Sequence, residues 1–412
     1  MSQVLEDLRR APRAFKVLVV SALVENMAFG LVIPYLALFM LNDLMLALPL
    51  IGIVLAGYTV AGMPSTIIGG MLADRIGRKI VLVSSLGLMS LTMLLYFFVD
   101  SFEALLIVAV ADSFVGYLYM PAANAMIADV IPSPDRPRAY STLRISWNIG
   151  VIFGPVIGAI IVAAYSMRLL FVFGSVILAI ACIMNTVLIR ETKPKDAGET
   201  ITFRKVMNVA SDHPFLLLSG LTAVFWFFFS QWLSVLPIYA NGELGVDEAA
   251  FGLLFAVSAL MTVAFQLWVT SRVTNYRRSR ILLTGHLVAS LGFALVFFAT
   301  EFYTLLACIV VITLGEIVFM SVVSAIIADL APAAKRGIYM GFSGLIQTMG
   351  GGIGMLFGTW LLDILPDKAF VWLAFGGIGA MSAVGYPIFA RIVRPDVENP
   401  KVRSVKTEPM LD

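Results

Sequence analysis

The chain has 412 residues, 60% of them hydrophobic and only 13% charged, where a soluble protein carries about 25% charged residues. So much apolar surface cannot be hidden from water in a core of its own, and a mean hydropathy of +0.95 points to a bilayer as the solvent. A formal net charge of +2 excludes a strongly basic nucleic-acid binder, and Cys182 and Cys308, each inside an apolar run, argue against a disulfide framework.

In chain order, twelve long apolar segments lie at 15–41, 49–73, 80–99, 103–129, 140–164, 169–190, 214–241, 250–271, 280–299, 303–329, 338–362 and 370–393. Each is long enough to cross a membrane, which takes about 20 apolar residues. They are expected to be helices, because a lone strand in lipid leaves its backbone polar groups unpaired. The expected class is therefore an all-α membrane protein of twelve spans. Met1–Lys16 is polar and the run after it is long enough to span, so no cleavable leader is expected. With the N-terminus placed inside, of the 28 Lys and Arg only Arg168 and Lys368 fall outside, and Arg144 lies within a span. That bias predicts a multi-pass cell-membrane protein with both termini cytoplasmic.

The polar stretch from Arg190 to His213 divides the spans six and six. It gives a first bundle over 1–190, a linker over 191–213, a second bundle over 214–393 and a tail over 394–412. In the linker, Phe203, Val206, Met207 and Ala210 recur at helical spacing beside Arg204 and Lys205, which suits a short helix lying on the inner leaflet. The same stretch also reads as a solvated linker. An internal repeat is the strongest organisational signal. Ala125–Pro132 matches Ala325–Pro332 at an offset of 200, and the offset also relates Gly150, Gly154 and Gly158 to Gly350, Gly354 and Gly358, and Arg168 to Lys368. Two halves in the same orientation imply parallel repeats related by an axis along the membrane normal, enclosing a central cavity.

The turn after the second span reads Gly70-Met-Leu-Ala-Asp74-Arg75-Ile-Gly77-Arg78-Lys79. Gly70 permits close helix packing, Gly77 a tight turn, and Asp74 suits a helix N-terminus. The spacing resembles the signature loop of the major facilitator superfamily. The resemblance implies a cytoplasmic gate made by Gly70, Asp74, Arg75, Gly77, Arg78 and Asp129, in which Arg78 pairs with Asp129 at the inner end of span 4. The second half carries a worn copy over Ser271–Arg280, with Thr274 at the aspartate position and Arg277 at the second glycine. One latch is thus expected to be stronger than the other. Span 5 carries Gly150-Val-Ile-Phe-Gly154-Pro155-Val-Ile-Gly158, small residues four apart that allow close helix approach. This is similar to the antiporter motif of the family's drug–proton branch, with Ala159 where a last glycine is usual. The resemblance implies export and a span 5 that packs on span 8. Generic small-residue packing would use the same glycines.

Acids within the spans bear most on mechanism. Glu25 and Glu316 lie about half-way along spans 1 and 10, and Asp112 lies nearer the outer end of span 4. Ionisable groups at such depth are costly and usually functional, so these three are the candidates for proton coupling and cation recognition. Protonated glutamates hydrogen-bonded between helices for packing alone are the structural alternative. The family's drug antiporters usually place an arginine four residues before a glycine in span 4, where this chain has Asp112 before Gly116. Arg144, in span 5, sits close to the cytoplasmic end and suits Asp129 or a lipid phosphate better. Phe225, Trp226, Phe229, Gln231 and Trp232 on span 7 suit a greasy or cationic guest. Tyr35, Trp147, Asn148, Gln266 and Gln347 complete the expected cavity lining, although aromatics facing lipid are common. His213 and His286 read as structural. No metal-ligand cluster, phosphate loop or nucleophilic triad is present in the sequence, so neither a cofactor nor enzyme chemistry is expected.

The expected function is proton-coupled export of lipophilic, cationic compounds by alternating access, as in multidrug efflux. The expected partners are that substrate, protons and membrane lipids, with no nucleic acid, and the chain is expected to act as a monomer. A lipid or glycolipid translocase, or a sugar or metabolite exporter, would use the same fold. A non-transporting sensor or scaffold has no need of the Asp74 loop or of three buried acids.

Overall fold

The computed structural model describes residues 11–132, 135–192, 212–273, 276–332 and 336–399. The apolar segments are helices, and no strand occurs among the described residues. The first six are α1 (Arg13–Asp43), α2 (Leu48–Ile76), α3 (Arg78–Phe97), α4 (Phe102–Val130), α5 (Arg136–Ala164) and α6 (Met167–Leu188). The next six are α7 (His213–Gly242), α8 (Glu248–Val273), α9 (Arg278–Phe298), α10 (Phe302–Leu330), α11 (Arg336–Ile364) and α12 (Phe370–Ile392). A single turn, α13 (Pro395–Glu398), follows. Helix starts are set by local chemistry. The Ser101 hydroxyl accepts from the Ala104 amide at 3.3 Å to open α4, and the Asp212 carboxylate accepts from the Phe215 amide at 3.2 Å to open α7. The linker sequence 203–210, where an interfacial helix was an alternative, lies outside the described residues.

The surface is turned inside out relative to a soluble protein. On α6, Val176, Ile180, Ile183 and Val187 form an exposed apolar stripe at helical spacing, while Ser175 and Asn185 are buried on the opposite face. That arrangement suits a lipid solvent, which accepts apolar side chains and forces polar ones inward.

Contacts divide the chain into two units. The first takes in the described residues up to 192 together with Asp247–Ala259; the second takes in 212–246 and the described residues from 260 on. The first half of α8 thus groups with the first unit.

Within each unit the repeat is visible as packing. In the first, Gly150, Gly154 and Gly158 on α5 lie against the α1 backbone around Leu23, Gly30 and Leu31, and a Cβ at any of them would clash. In the second, Gly350, Gly354 and Gly358 on α11 lie in the same way against Ala223, Phe227 and Gln231 of α7. The glycines of the helix 5 motif thus serve the α1–α5 seam. On α8, Gly252 lies against Tyr35 and against the carbonyl of Pro155, a residue of the same motif.

Both basic residues predicted outside are paired, at positions that obey the offset of 200. Arg168 meets Asp100 at 2.7 Å and Asp43 at 3.7 Å, and Lys368 meets Glu243 at 2.9 Å. The Asp43 and Glu243 pairs tie the start of the last helix of a unit to the end of its first, and the Asp100 pair ties α6 to the turn between α3 and α4.

Candidate functional site

The loop between α2 and α3 is built on Gly77, whose φ of 117° and ψ of 150° lie in a region that a side chain disfavours. The turn brings Arg78 to the first position of α3, buried against two acids. Its Nε lies 3.0 Å from Asp129 at the end of α4, and its Nη2 lies 3.2 Å from Asp74 one turn earlier. Arg75 lies on the same turn. The Arg78–Asp129 pairing implied by the resemblance is present in the first unit. Gly70 does not have the role expected of it: its Cβ position meets nothing nearer than Pro121 at 4.0 Å, whereas at Gly69 a Cβ would lie 2.9 Å from the Leu118 backbone. Gly69 is the close-packing glycine.

Two residues beyond α6 complete this cluster and carry no sequence signal. The Glu191 carboxylate accepts from the backbone amides of Arg78 at 2.9 Å and Lys79 at 3.1 Å, occupying the space a Gly77 side chain would need. It caps the N-terminus of α3, where an anion is favoured. The Thr192 hydroxyl donates to Asp129 at 2.9 Å.

The second unit holds a corresponding pair. Arg278 Nη1 lies 2.8 Å from Asp329, the residues 200 positions on from Arg78 and Asp129. Glu398 of α13 accepts from the Ser279 amide at 3.3 Å and from its hydroxyl, and Arg394 donates to the Asp329 carbonyl. The worn loop has lost its aspartate and glycine positions and has kept the ion pair to the end of α10. Thr274 lies outside the described residues.

The three intramembrane acids fall in different surroundings. Glu25 on α1 is half-buried, and its Oε2 is buried without a hydrogen-bond partner. Tyr58 on α2 and Tyr119 on α4 stand within electrostatic range of it. Asp112 is 7% exposed inside the first unit and accepts from the Thr92 hydroxyl of α3 at 2.6 Å. Tyr58 is also within electrostatic range of Asp112. Asp112 therefore sits among the helices of its own bundle, a placement that suits an internal polar network better than contact with a guest. Glu316 on α10 of the second unit is half-buried. It follows Gly315, which lies directly against the Ala289 backbone of α9. The side chain of Arg144 lies outside the described residues.

Several expected cavity residues are core residues instead. Phe225 is fully buried and stacks on Phe319 with ring centroids 3.9 Å apart, next to Phe228, Phe229 and His286. Phe229 belongs to the same aromatic core, and Trp232 is buried. Gln231 is fully buried and donates to the carbonyls of Phe227 and Gly354, fastening α7 to α11. Tyr35 is buried and donates to the Pro155 carbonyl at 3.0 Å, a tie between α1 and α5. Trp147 and Asn148 remain exposed on α5, and Trp226, Gln266 and Gln347 are half-buried. These five are the remaining candidates for lining.

His286 is held on both sides, by the Tyr386 hydroxyl at Nδ1 and the Ser382 hydroxyl at Nε2, each at 2.9 Å. It joins α9 to α12.

Comparison with known proteins defines the class. The family model for the Major Facilitator Superfamily matches residues 18–242 and 220–410. The chain belongs to that superfamily of membrane transporters. It is 28% identical over 366 residues to the MFS-type transporter YttB of Bacillus subtilis, covering 87% of this chain and 91% of that one. It is 25% identical to the Na(+), Li(+), K(+)/H(+) antiporter of Planococcus maritimus, covering 82% and 87%. It is also 25% identical to the multidrug resistance protein MdtH of Yersinia enterocolitica, covering 89% and 92%. Among solved structures it shares its fold with a POT family transporter, at a TM-score of 0.79 and 16% identity over 94% of this chain and 97% of that one. It shares it too with the nucleoside transporter NupG, at 0.76 and 16% over 91% and 99%.

Proposed function

We propose that this protein exports lipophilic, cationic compounds across the cell membrane in exchange for protons, by alternating access between its two six-helix bundles. The observation that carries the reading is Glu25, a carboxyl group half-way along a membrane helix with one oxygen buried and unpartnered. Such a group is tolerated in a bilayer when it is protonated or meets a cation, which is the choice an antiporter needs. Glu316 offers the second unit a carboxyl at comparable depth. Similarity to MdtH supports a drug-like cargo. The positive-inside bias supports cytoplasmic termini and a cytoplasmic position for the Asp74–Arg78–Asp129 cluster.

The assay is ethidium transport in proteoliposomes with and without a pH gradient. Gradient-dependent transport that falls with Glu25→Gln supports the proposal; movement of labelled lipid but not of cations would sink it. A second reading, alkali-cation/proton antiport, is favoured by the similarity to the Planococcus antiporter. It predicts that sodium or potassium, added to the same vesicles, dissipates the pH gradient without any organic cation.

A further inference from the structure

A string of polar side chains runs from Glu25 through the interior of the first bundle. Ser21 lies one helical turn before Glu25 on α1, about 6 Å along the axis. Its hydroxyl oxygen accepts from Asn185 Nδ2 at 2.6 Å. Asn185 lies in the last turn of α6, three residues before Leu188. The Tyr119 hydroxyl of α4 sits beside Ser21 and within electrostatic range of Glu25. Ser21, Tyr119 and Asn185 are each fully buried.

The string is incomplete in a telling way. Glu25 Oε2 and Asn185 Oδ1 are buried and have no hydrogen-bond partner, and the Tyr119 hydroxyl between them has Ser21 alone beside it. One such orphan costs about 1–3 kcal/mol. Two of them, on α1 and α6, at the two ends of the Tyr119–Ser21–Asn185 string, mark places for water to complete the bonding, since bound water is the usual partner of buried polar groups left over by the protein.

We propose that Tyr119, Ser21 and Asn185 hold a short file of bound water that carries protons between Glu25 and the end of the first bundle where α6 terminates. The inference rests on the coupling role given to Glu25 above. Each hydroxyl or water accepts one proton and releases another, so only Glu25 and the solvent change protonation and no bond is made or broken elsewhere. The amide of Asn185 donates to Ser21 and leaves its oxygen to receive a water proton. The titratable groups within electrostatic range of Glu25 are Tyr58 from α2 and Tyr119 from α4, and Asp112 is within range of Tyr58. From α6 the file meets only the neutral Asn185, and on α5 the side chain of Arg144 is outside the described residues. Such a route exchanges protons with one side of the membrane through the body of a bundle.

The test follows the carboxyl band of Glu25 in the infrared after a pH jump, in the full-length protein in lipid. The band is assigned by its loss in Glu25→Gln. Tyr119→Phe keeps the ring and removes only the hydroxyl, and is expected to slow protonation of Glu25 roughly tenfold or more; Asn185→Leu is expected to slow it as well. Ser219→Ala, which removes a buried hydroxyl from the second unit, serves as the comparison and should match the parent. Parent-like rates in Tyr119→Phe overturn the proposal, as does a Glu25 band that never responds to pH. Because no transported compound enters this measurement, a negative ethidium assay beside a slowed Tyr119→Phe band would count against the export reading and leave the water file standing.

Discussion

Arg78 is shared by two carboxylates while a third, Glu191, caps the helix that Arg78 begins. Removing one partner of a largely buried pair strands the other charge, at about 3–5 kcal/mol. Asp129→Asn leaves Arg78 paired with Asp74 and is therefore expected to lower stability by less, about 1.5 kcal/mol, read from denaturant titration in micelles. Asp129 is 15% exposed at the side chain, which also lessens the effect. The neighbouring glycines separate cleanly. Gly69→Val forces a side chain into the Leu118 backbone and should cost about 2 kcal/mol by overpacking, whereas Gly70→Ala, with open space around it, should leave the same titration unchanged. At this scale the sequence was legible where spacing carries the chemistry, as at Gly77, Arg78 and Asp129. It was silent on Glu191, because a residue 113 positions from its bonding partner leaves no local pattern.

The seams between helices show what a glycine every fourth residue does. On α5 and on α11 such a row removes side chains from one face, and the facing helix backbone moves in to contact distance. Gly154→Leu should disrupt the α1–α5 seam and reduce folded protein recovered from membranes, while Gly344→Ala, with nothing within 4 Å, should be recovered like the parent. The ion pairs of Arg168 and Lys368 differ in burial and should differ in worth. Lys368 and Glu243 are both about two-fifths exposed, so Lys368→Ala should change stability by less than about 1 kcal/mol. Arg168, more enclosed and shared between Asp43 and Asp100, should matter more in the same thermal-unfolding comparison. The helix set and the internal repeat could be read from hydropathy and offset alone. The aromatic run of α7 could not. Phe225, Phe228 and Phe229 recur as one face of a helix, and in a membrane protein an apolar face can meet lipid, a guest or a neighbouring helix with the same sequence.

For the whole molecule, the proposed exchange depends on carboxyl groups carried about half-way along a spanning helix of each unit, Glu25 in the first and Glu316 in the second. Asp112 is enclosed within the first unit, where it accepts from the Thr92 hydroxyl. Substrate and proton are expected to compete for Glu25, so export should rise with an inward-directed proton gradient and fail when that gradient is collapsed. The most direct measurement is ethidium flux in proteoliposomes of known orientation, parent against Glu25→Gln, at matched protein density and with the pH gradient set on either side. The account predicts flux in the parent that follows the gradient, reverses with it, and disappears in Glu25→Gln. Flux that is equal in the two proteins and indifferent to the gradient would contradict it.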